Sequence, residues 1–231
     1  SKVRDFRDVK NEANRLGEVY HFGRVHELCF LKNSELAEGN VLRKYKGRVV
    51  FLGDQVKDQN DNVAFFQELS SSPATIAASR MGDMYGLFAG HTTQLSDATS
   101  AYTQAKLEGT KTWVSLPRER WPEAWKKRTW VSYPVCPLEY ALYGHPDSGG
   151  YWEKHCDAHL TKVGWTKASG IWPSTYWHEK LQLFLVVYVD DFKMAGPTKN
   201  LEEGWKLVRS GLVMDDPTPL ATYLGCKHIV K

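Results

Sequence analysis

The sequence predicts an α+β fold, in which strands and helices do not follow the regular βαβ order of a parallel sheet. Some segments carry apolar residues at helical spacing, whereas others are continuous apolar runs of strand length. In the segment 183–196, two such runs flank a pair of aspartates. That arrangement favours a hairpin and therefore antiparallel pairing.

Composition supports a substantial core and argues against several classes of protein. The 231 residues are 42% hydrophobic and 13% aromatic, which is too apolar for global disorder. A net charge of +3 permits a polyanionic partner without requiring one. None of the four cysteines forms a C-x-x-C pair, which favours a reduced, intracellular protein over a zinc ribbon or a disulfide framework. Without a signal peptide or an apolar run of roughly 18 residues, no membrane partner is expected.

The first half of the chain contains two predicted strands and two predicted helical segments. The segment 44–56 is rich in β-branched and aromatic residues and ends in a Gly-Asp turn signal, which predicts a strand. The segment 73–90 has a proline near its first turn and apolar residues at helical spacing, which predicts a helix. The predicted apolar face of this helix comprises Ile76, Met81, Met84 and Leu87. The segment 92–109 is predicted to begin as a short strand and to become helical after Asp97.

The second half alternates helices and strands. The segment 149–165 predicts a helix with Trp152, Cys156 and either His159 or Leu160 near one face. The nearly continuous apolar run at 180–189 is typical of a central strand covered on both faces. A helical period resumes at 200–212, and 221–230 is predicted to be the last strand.

Asp190 and Asp191 follow the apolar run and have two interpretations. Asp is a favoured turn residue for reasons unrelated to function, so the pair can be the tip of a tight hairpin. Alternatively, the carboxylates hold a hard cation such as Mg²⁺, which takes oxygen ligands. This needs a third acid, because clustered carboxylates raise one another's pKa unless a cation compensates. Asp97 is the best candidate, although Asp is also a common helix N-cap.

Two short motifs surround these aspartates: YVDD (188–191) after an apolar strand, and DATSAY (97–102) earlier in the chain. Both motifs resemble the catalytic motifs of the reverse transcriptase domain of copia-type LTR retrotransposons, and they belong to five blocks of the chain that resemble that domain. The blocks occur in family order with similar spacing over roughly residues 44–228. They are YKGRVVFLG (45–53), LSDATSAYTQAKLEG (95–109), VCPLEYALYGHPDSGGYW (135–152), FLVVYVDDFKMAG (184–196) and YLGCKH (223–228).

The resemblance implies a right-hand polymerase, with a palm of antiparallel sheet and packed helices plus a fingers subdomain. The implied fingers are 1–85 and 106–150, and the implied palm is 86–105 and 151–231. The thumb, RNase H and integrase regions of the family's Pol polyprotein find no counterpart in these 231 residues. Since the sequence starts at Ser1 without an initiator Met, we expect it to be a piece of a longer chain.

The activity implied by the resemblance is RNA-directed DNA polymerisation, the transfer of nucleotides from dNTPs to a primer 3′-hydroxyl. Asp97, Asp190 and Asp191 would be the catalytic ligands of two Mg²⁺ ions, with Mn²⁺ as a possible substitute. The implied partners are an RNA or DNA template with its primer, dNTPs and the remainder of the polyprotein. The implied location is a cytoplasmic particle or the nucleus.

The resemblance also assigns roles to residues outside the carboxylate motifs. Arg48 and Lys46 match cations that grip the triphosphate, although either also suits a surface ion pair. Tyr102 matches the aromatic residue under the incoming sugar, where a ring would collide with a 2′-hydroxyl, and is otherwise a core aromatic. Leu224 and Gly225 match the segment that positions the primer, where Gly permits close backbone approach, and are otherwise strand and turn.

Asp147 departs from the family pattern, because the family has Gln at this dNTP-binding position. An acid beside a triphosphate should weaken binding unless a cation or an altered loop compensates. This departure supports an alternative function, that of a catalytically inactive nucleic-acid-binding remnant of such an element.

The window 106–130 is the clearly basic part of the chain, with tryptophans interleaved among its cations. By resemblance it belongs to the fingers, where Lys126, Lys127 and Arg128 are candidates to track template phosphates. The tryptophans are candidates to stack on template bases. The alternative is a solvated charged face over core tryptophans.

His155 and His159 have the i, i+4 spacing of a helical zinc site. The Glu of H-E-x-x-H is missing from this stretch, so we expect structural histidines.

Overall fold

The computed structural model describes residues 2–67, 69, 71–127, 132–168, 170 and 172–229. In chain order its first elements are β1 (Arg4–Asp5), α1 (Phe6–Leu16), β2 (Tyr20–Lys32), β3 (Lys44–Phe51), α2 (Ile76–Gly86), β4 (His91–Asp97), β5 (Lys111–Ser115), α3 (Glu123–Lys126) and β6 (Pro134–Pro137). The remaining elements are α4 (Ser148–Lys162), β7 (Thr166–Lys167), β8 (Thr175–His178), β9 (Leu183–Tyr188), β10 (Asp191–Pro197), α5 (Thr198–Arg209), β11 (Thr218–Pro219), β12 (Thr222–Tyr223) and β13 (Cys226–Lys227). The predicted α+β class is therefore confirmed.

The chain divides into two compact units, each built from two separate segments. Unit 1 comprises Ser1–Glu68 and Leu107–Ser148. Unit 2 comprises Leu69–Lys106 and Gly149–Lys231. Each unit has its own sheet and its own buried apolar cluster.

Unit 1 contains a five-stranded sheet in the order β1-β6-β5-β2-β3, in which only β2 and β5 run parallel. Helix α1 begins because Asp5 caps it, accepting a hydrogen bond from the Arg7 amide at 2.9 Å. It ends at Gly17, whose φ of 66° is readily adopted by glycine. Val9 and Ala13 of α1 are fully buried in an apolar cluster shared with the sheet. Helix α1 is not among the predicted elements, although its Asp and Gly caps are recognisable signals.

Strands β2 and β3 form a long antiparallel ribbon with an exposed outer half. The predicted strand at 44–56 is confirmed in its first part, because β3 ends at Phe51. Leu28 pairs with Arg48, and Phe30 pairs with Lys46. Since alternate residues of a strand share a face, both cations lie on the same face of the ribbon.

Unit 2 contains a six-stranded antiparallel sheet in the order β11-β4-β10-β9-β8-β7. One face packs against α4 and α5 in the largest apolar cluster of the protein, which includes Trp152, Leu160 and Trp205. Phe192 and Met194 of β10 belong to that cluster, whereas Lys193 between them contacts α2. Helix α2 therefore packs on the opposite face, as the alternation of side chains requires.

Several predicted elements of unit 2 are confirmed. Strand β9 is central, with β10 and β8 on its two sides. Helices α4 and α5 match the predicted segments, and Trp152, Cys156 and Leu160 form the buried face of α4.

All four cysteines are free. Among the described residues, no helix has the length and apolar character needed to cross a membrane.

The predicted apolar face of α2 is wrong. Ile76, Met84 and Leu87 are 71%, 61% and 77% exposed, and Met81 is also exposed. The buried residues are Ala78 and Gly82. A Cβ on Gly82 would make only ordinary contacts, at 3.6 Å to Lys193 and Phe184, whereas a Cβ on Gly86 would overlap the Thr93 hydroxyl of β4. Gly86 therefore lets the end of the helix approach the sheet closely.

Two other expectations need correction. The chain after Asp97 forms a single 3₁₀ turn, Ala101–Gln104, instead of a longer helix. The predicted last strand at 221–230 is a short hairpin of β12 and β13. It reverses at Leu224 and Gly225, whose φ angles of 48° and 78° suit a tight two-residue turn.

Candidate active site

The hairpin between β9 and β10 carries the aspartate pair. Tyr188 pairs with Asp191, so the two turn residues are Val189 and Asp190. Both aspartates are predicted to lie at the tip, whereas in the structure Asp191 is the first residue of β10. Val189 has a φ of 56°, which is unusual for a β-branched residue but is demanded by a two-residue hairpin.

Hydrogen bonds from two other segments fix this turn. The Trp152 indole Nε1 donates to the Val189 carbonyl at 2.7 Å. The Ala98 amide donates to the Asp190 carbonyl at 2.7 Å. The Val189 side chain packs against the apolar cluster under the sheet. The strained turn is therefore held by the surrounding structure, as backbone strain at functional sites generally is.

Asp97 and Asp191 are direct cross-strand partners of β4 and β10. Side chains in such a pair lie on the same face of the sheet, about 5 Å apart at their Cβ atoms. When Asp191 is protonated, its carboxyl group can donate a hydrogen bond to the Asp97 carboxylate, which favours the protonated form. Burial first, and then the charges of Asp190 and Asp97, raise the pKa of Asp191 to about 6. The pair therefore retains a proton at mildly acidic pH.

The chemistry of these side chains fits a divalent cation. Asp97 is exposed, whereas Asp190 and Asp191 are half-buried, so all three carboxylates remain accessible at the sheet end. Hard cations prefer carboxylate oxygens, and a cation would remove the mutual repulsion that raises the pKa of Asp191. Within the part of the chain that the structure describes, no three His, Cys, Asp or Glu side chains are grouped closely enough to hold a metal. The metal site therefore stays a prediction.

Tyr102 lies in the 3₁₀ turn that follows β4, half-buried against the apolar cluster of unit 2. Burial is the main cause that raises the pKa of Tyr102, and the charge of Asp190 adds to it. The electrostatic effect places Tyr102 near Asp190, so its neutral phenol adjoins the candidate site.

The hairpin of β12 and β13 also contacts the carboxylate-bearing strand. Leu224 at its turn is 40% exposed, whereas Tyr223 just before it is only 5% exposed. The Tyr223 hydroxyl donates to the Asp191 carbonyl at 3.4 Å. Leu224 and Gly225 are predicted site residues, whereas Tyr223 is not, since no local signal distinguishes a buried tyrosine that reaches another strand.

The candidate triphosphate ligands lie on the exposed ribbon of unit 1. The Arg48 guanidinium carbon is 5.5 Å from the Phe30 ring centroid and 5.3 Å from that of Tyr143. Such cation–π contacts hold a guanidinium in place while its N–H groups remain available to an anion. Lys46 is exposed on the same ribbon face.

Asp147 is buried inside unit 1, with 4% of its surface exposed. Its Oδ2 accepts a hydrogen bond from the Gln67 amide at 3.4 Å. It directly precedes α4, where the helix dipole favours a negative charge. Burial lowers the pKa of the neighbouring His145 to about 4, with Asp147 acting in the opposite direction. The acid thus has a structural environment within its own unit.

The candidate template residues are only partly characterised by the structure. Lys126 and Lys127 are exposed, and the Lys126 Nζ lies 2.8 Å from a Glu123 carboxylate oxygen. Arg128 lies outside the described residues. Trp113 of the same window is a buried core residue, whereas the Trp121 Nε1 donates to the Leu116 carbonyl at 3.0 Å.

His159 has a structural role, as predicted. Its Nε2 lies 3.1 Å from the Leu207 carbonyl and 2.9 Å from the Val208 carbonyl near the end of α5. A carbonyl can only accept, so Nε2 donates and satisfies helix-end acceptors. That nitrogen is therefore engaged in joining α4 to α5.

No protein-family model matches this chain, and no curated protein matches it either. Function is therefore inferred from the residues and their geometry. The paired Asp97 and Asp191 beside the Asp190 turn are the strongest chemical feature of unit 2.

Proposed function

We propose that this chain is the fingers and palm core of an RNA-directed DNA polymerase that adds dNTPs to a primer 3′-hydroxyl. The supporting observation is the pairing of Asp97 with Asp191 at the end of an antiparallel sheet, next to the Asp190 turn. The family resemblance of the five sequence blocks adds the reaction class. The antiparallel sheet of unit 2, covered by helices on both faces, supports its assignment as the palm.

In this proposal, Asp97, Asp190 and Asp191 hold two Mg²⁺ or Mn²⁺ ions. When bound, these ions supply activation of the primer hydroxyl and stabilisation of the leaving pyrophosphate. The protein holds the carboxylates on rigid backbone, with Asp97 and Asp191 in strands and Asp190 in a turn fixed by Trp152. Asp191 releases its proton near pH 6, so the full negative charge is present at neutral pH.

The assignment of the units follows from the same proposal. Unit 2 is the palm, and unit 1 corresponds to the fingers. In the structure the two units are divided after residues 68, 106 and 148. The boundaries implied by the family resemblance fall after residues 85, 105 and 150. Helix α2, in this proposal, thus belongs to the palm, because its residues pack on the sheet of unit 2.

Substrate contacts are proposed for residues of each unit. Arg48 and Lys46 bind the triphosphate, since their ribbon face combines two cations with an aromatic ring that orients one of them. Tyr102 supports the incoming sugar and disfavours a 2′-hydroxyl. Leu224 and Gly225 contact the primer strand at an exposed turn. Lys126 and Lys127, with Arg128, bind template phosphates.

The inactive remnant is the weaker candidate, because one of its two supports is a negative charge from Asp147 beside the nucleotide. With 4% of its surface exposed, Asp147 presents almost no area to a ligand. Its carboxylate instead accepts from the Gln67 amide within unit 1. A buried, hydrogen-bonded acid has a structural explanation that does not oppose catalysis.

Templated primer extension tests the proposal. The protein is incubated with an RNA template, a labelled DNA primer, dNTPs and Mg²⁺ or Mn²⁺, with Asp190→Asn as the inactive variant. The exposed Asp54 supplies a matched control, Asp54→Asn, outside the carboxylate site. We expect extension by the wild type and the control, and none by Asp190→Asn. Salt-sensitive binding of primer–template without extension by any of the three proteins would favour the remnant.

A further inference from the structure

A fully buried lysine lies on the carboxylate-bearing strand of unit 2. Lys193 is 1% exposed and follows Asp191 by two residues, so both side chains point to the same sheet face. Its Nζ lies 2.7 Å from the Asp83 Oδ1 and 2.8 Å from the Ser79 Oγ, both in α2. Burial lowers the pKa of Lys193, and the Asp83 carboxylate opposes that effect. An apolar side chain could fill this position without a charged partner, whereas a buried lysine needs one. Core packing alone therefore does not explain the ion pair.

The same ion pair reaches the hairpin of β12 and β13. The Lys193 Nζ is 4.3 Å from the centroid of the Tyr223 ring. The Tyr223 hydroxyl donates to the Asp191 carbonyl. On the other side of the hairpin, the His228 Nε2 lies 3.2 Å from the Asp83 Oδ2. The Asp83 carboxylate therefore accepts hydrogen bonds from both Lys193 of β10 and His228 of the hairpin.

The hairpin depends on such contacts because its own pairing is short. Strands β12 and β13 have two residues each and, among the described strands, pair only with each other. An isolated two-stranded hairpin is marginally stable in water. Side-chain contacts to β10 and α2 must therefore fix its place, and those contacts converge on Lys193 and Asp83.

We propose that Lys193 is a positioning residue that, through Asp83, Tyr223 and His228, holds the 222–228 hairpin at a fixed place relative to Asp191. The primer strand that contacts the hairpin turn is thereby held at a fixed place relative to the carboxylates. The fastening of the hairpin is independent of the enzyme's activity, whereas the primer's placement rests on the proposed polymerase function.

Hydrogen exchange measured by mass spectrometry tests the fastening without substrate. His228→Ala removes the hairpin's contact to Asp83 but leaves the Lys193–Asp83 pair intact, so the variant is expected to fold. We expect amides of the 222–228 hairpin to exchange about tenfold faster, the effect of losing one charge-assisted hydrogen bond. His228→Gln retains an N–H donor and should restore much of the protection. Unchanged exchange in His228→Ala would overturn the fastening.

A second variant removes the buried charges together. Substitution of Lys193 or Asp83 alone leaves the other charge buried without its partner, which risks unfolding. The double substitution Lys193→Met with Asp83→Leu replaces both by apolar groups of similar size. Its matched control is Lys206→Met with Glu203→Leu, an exposed pair on α5. We expect faster hairpin exchange in the buried double variant alone. Equal exchange in both double variants would contradict a role for Lys193.

Steady-state kinetics tests the placement of the primer. In His228→Ala we expect the KM for primer–template to rise about tenfold, with kcat and the KM for dNTP within about twofold of wild type. His228→Gln should recover the lower KM, whereas a general loss of stability would lower kcat without such a split. If the hairpin amides exchange faster in His228→Ala but the KM for primer–template is unchanged, the hairpin does not position the primer. If the wild type extends no primer, the proposed function fails, while hydrogen exchange still decides whether Lys193 fastens the hairpin.

Discussion

Asp97 and Asp191 face each other across the pairing of β4 with β10, and the Asp97 carboxylate helps to raise the pKa of Asp191. Two carboxylates in such contact repel when both are ionised, and either the proton that Asp191 retains below about pH 6 or a bound cation relieves this repulsion. The adjoining Asp190 in the turn adds a third negative charge. This relationship between two strands is the physical basis of the proposed metal site.

The raised pKa of Asp191 predicts a specific pH dependence of stability. Its value of about 6 in the folded protein exceeds the ordinary 3.8, so the folded state holds a proton that the unfolded state has lost. In metal-free buffer, the contribution of Asp191 to the free energy of unfolding therefore falls as pH rises from about 4 to about 6, and it stays constant at higher pH. Asp191→Asn removes it, so the variant's stability relative to wild type should rise over that window in urea titrations. The stability difference between Asp54→Asn and wild type should not change with pH. If the difference between Asp191→Asn and wild type does not change with pH either, the raised pKa is refuted.

The backbone of Val189 predicts an unusual response to glycine. Val189→Gly relieves a positive φ that costs a β-branched residue about 1–2 kcal/mol, which offsets much of the lost packing. We expect its free energy of unfolding to lie within about 1 kcal/mol of wild type. Val187, buried in the adjoining strand with no such strain, is the comparison, and Val187→Gly should cost about 3 kcal/mol. Equal losses in urea denaturation would show that the turn is unstrained.

The indole of Trp152 predicts a hydrogen-bond effect on the same turn. Trp152→Phe leaves the Val189 carbonyl without this donor and reduces core packing, so we expect a loss of about 2 kcal/mol or more. Trp177→Phe is the matched control, because the Trp177 Nε1 bonds to exposed Glu179. Its loss should stay below about 1 kcal/mol. Similar losses in thermal or urea unfolding would mean that the Trp152 hydrogen bond contributes little.

Arg48 predicts a selective effect on nucleotide affinity. Arg48→Met removes a cation held by Phe30 and Tyr143 without changing the carboxylate site. We expect the KM for dNTP to rise about tenfold or more, as for a lost charge-assisted contact to phosphate. Arg15→Met, which removes an exposed arginine from α1, should leave the KM unchanged. Equal KM values for the two variants would exclude Arg48 as a triphosphate ligand.

Patterns within one segment predicted the parts of the fold that depend on local chemistry. The apolar run before the aspartates indicates the central strand β9, and the helical spacing of Leu201, Trp205 and Val208 indicates the buried face of α5. Asp97 was selected as a third acid because it ends a predicted strand. Its pairing with Asp191 depends on the register between β4 and β10, which no single segment specifies.

Other features depend on partners far away in the sequence. The apolar residues at helical spacing in α2 are exposed, and the small residues Ala78 and Gly82 form the buried face instead. Asp147 is buried with a hydrogen bond from the distant Gln67, and Lys193 is buried in an ion pair with the distant Asp83. A charged residue in a strand pattern normally indicates an exposed position, so tertiary contacts override the local signal here.

Binding of Mn²⁺, counted by electron paramagnetic resonance, tests the carboxylate site most directly. Wild type and Asp54→Asn should bind Mn²⁺ in competition with Mg²⁺, more tightly at pH 7 than at pH 5, because Asp191 must lose its proton. Asp191→Asn should weaken that binding at pH 7 about tenfold or more and flatten its pH dependence. If Asp191→Asn binds Mn²⁺ as tightly as wild type at both pH values, the paired carboxylates are not a metal site.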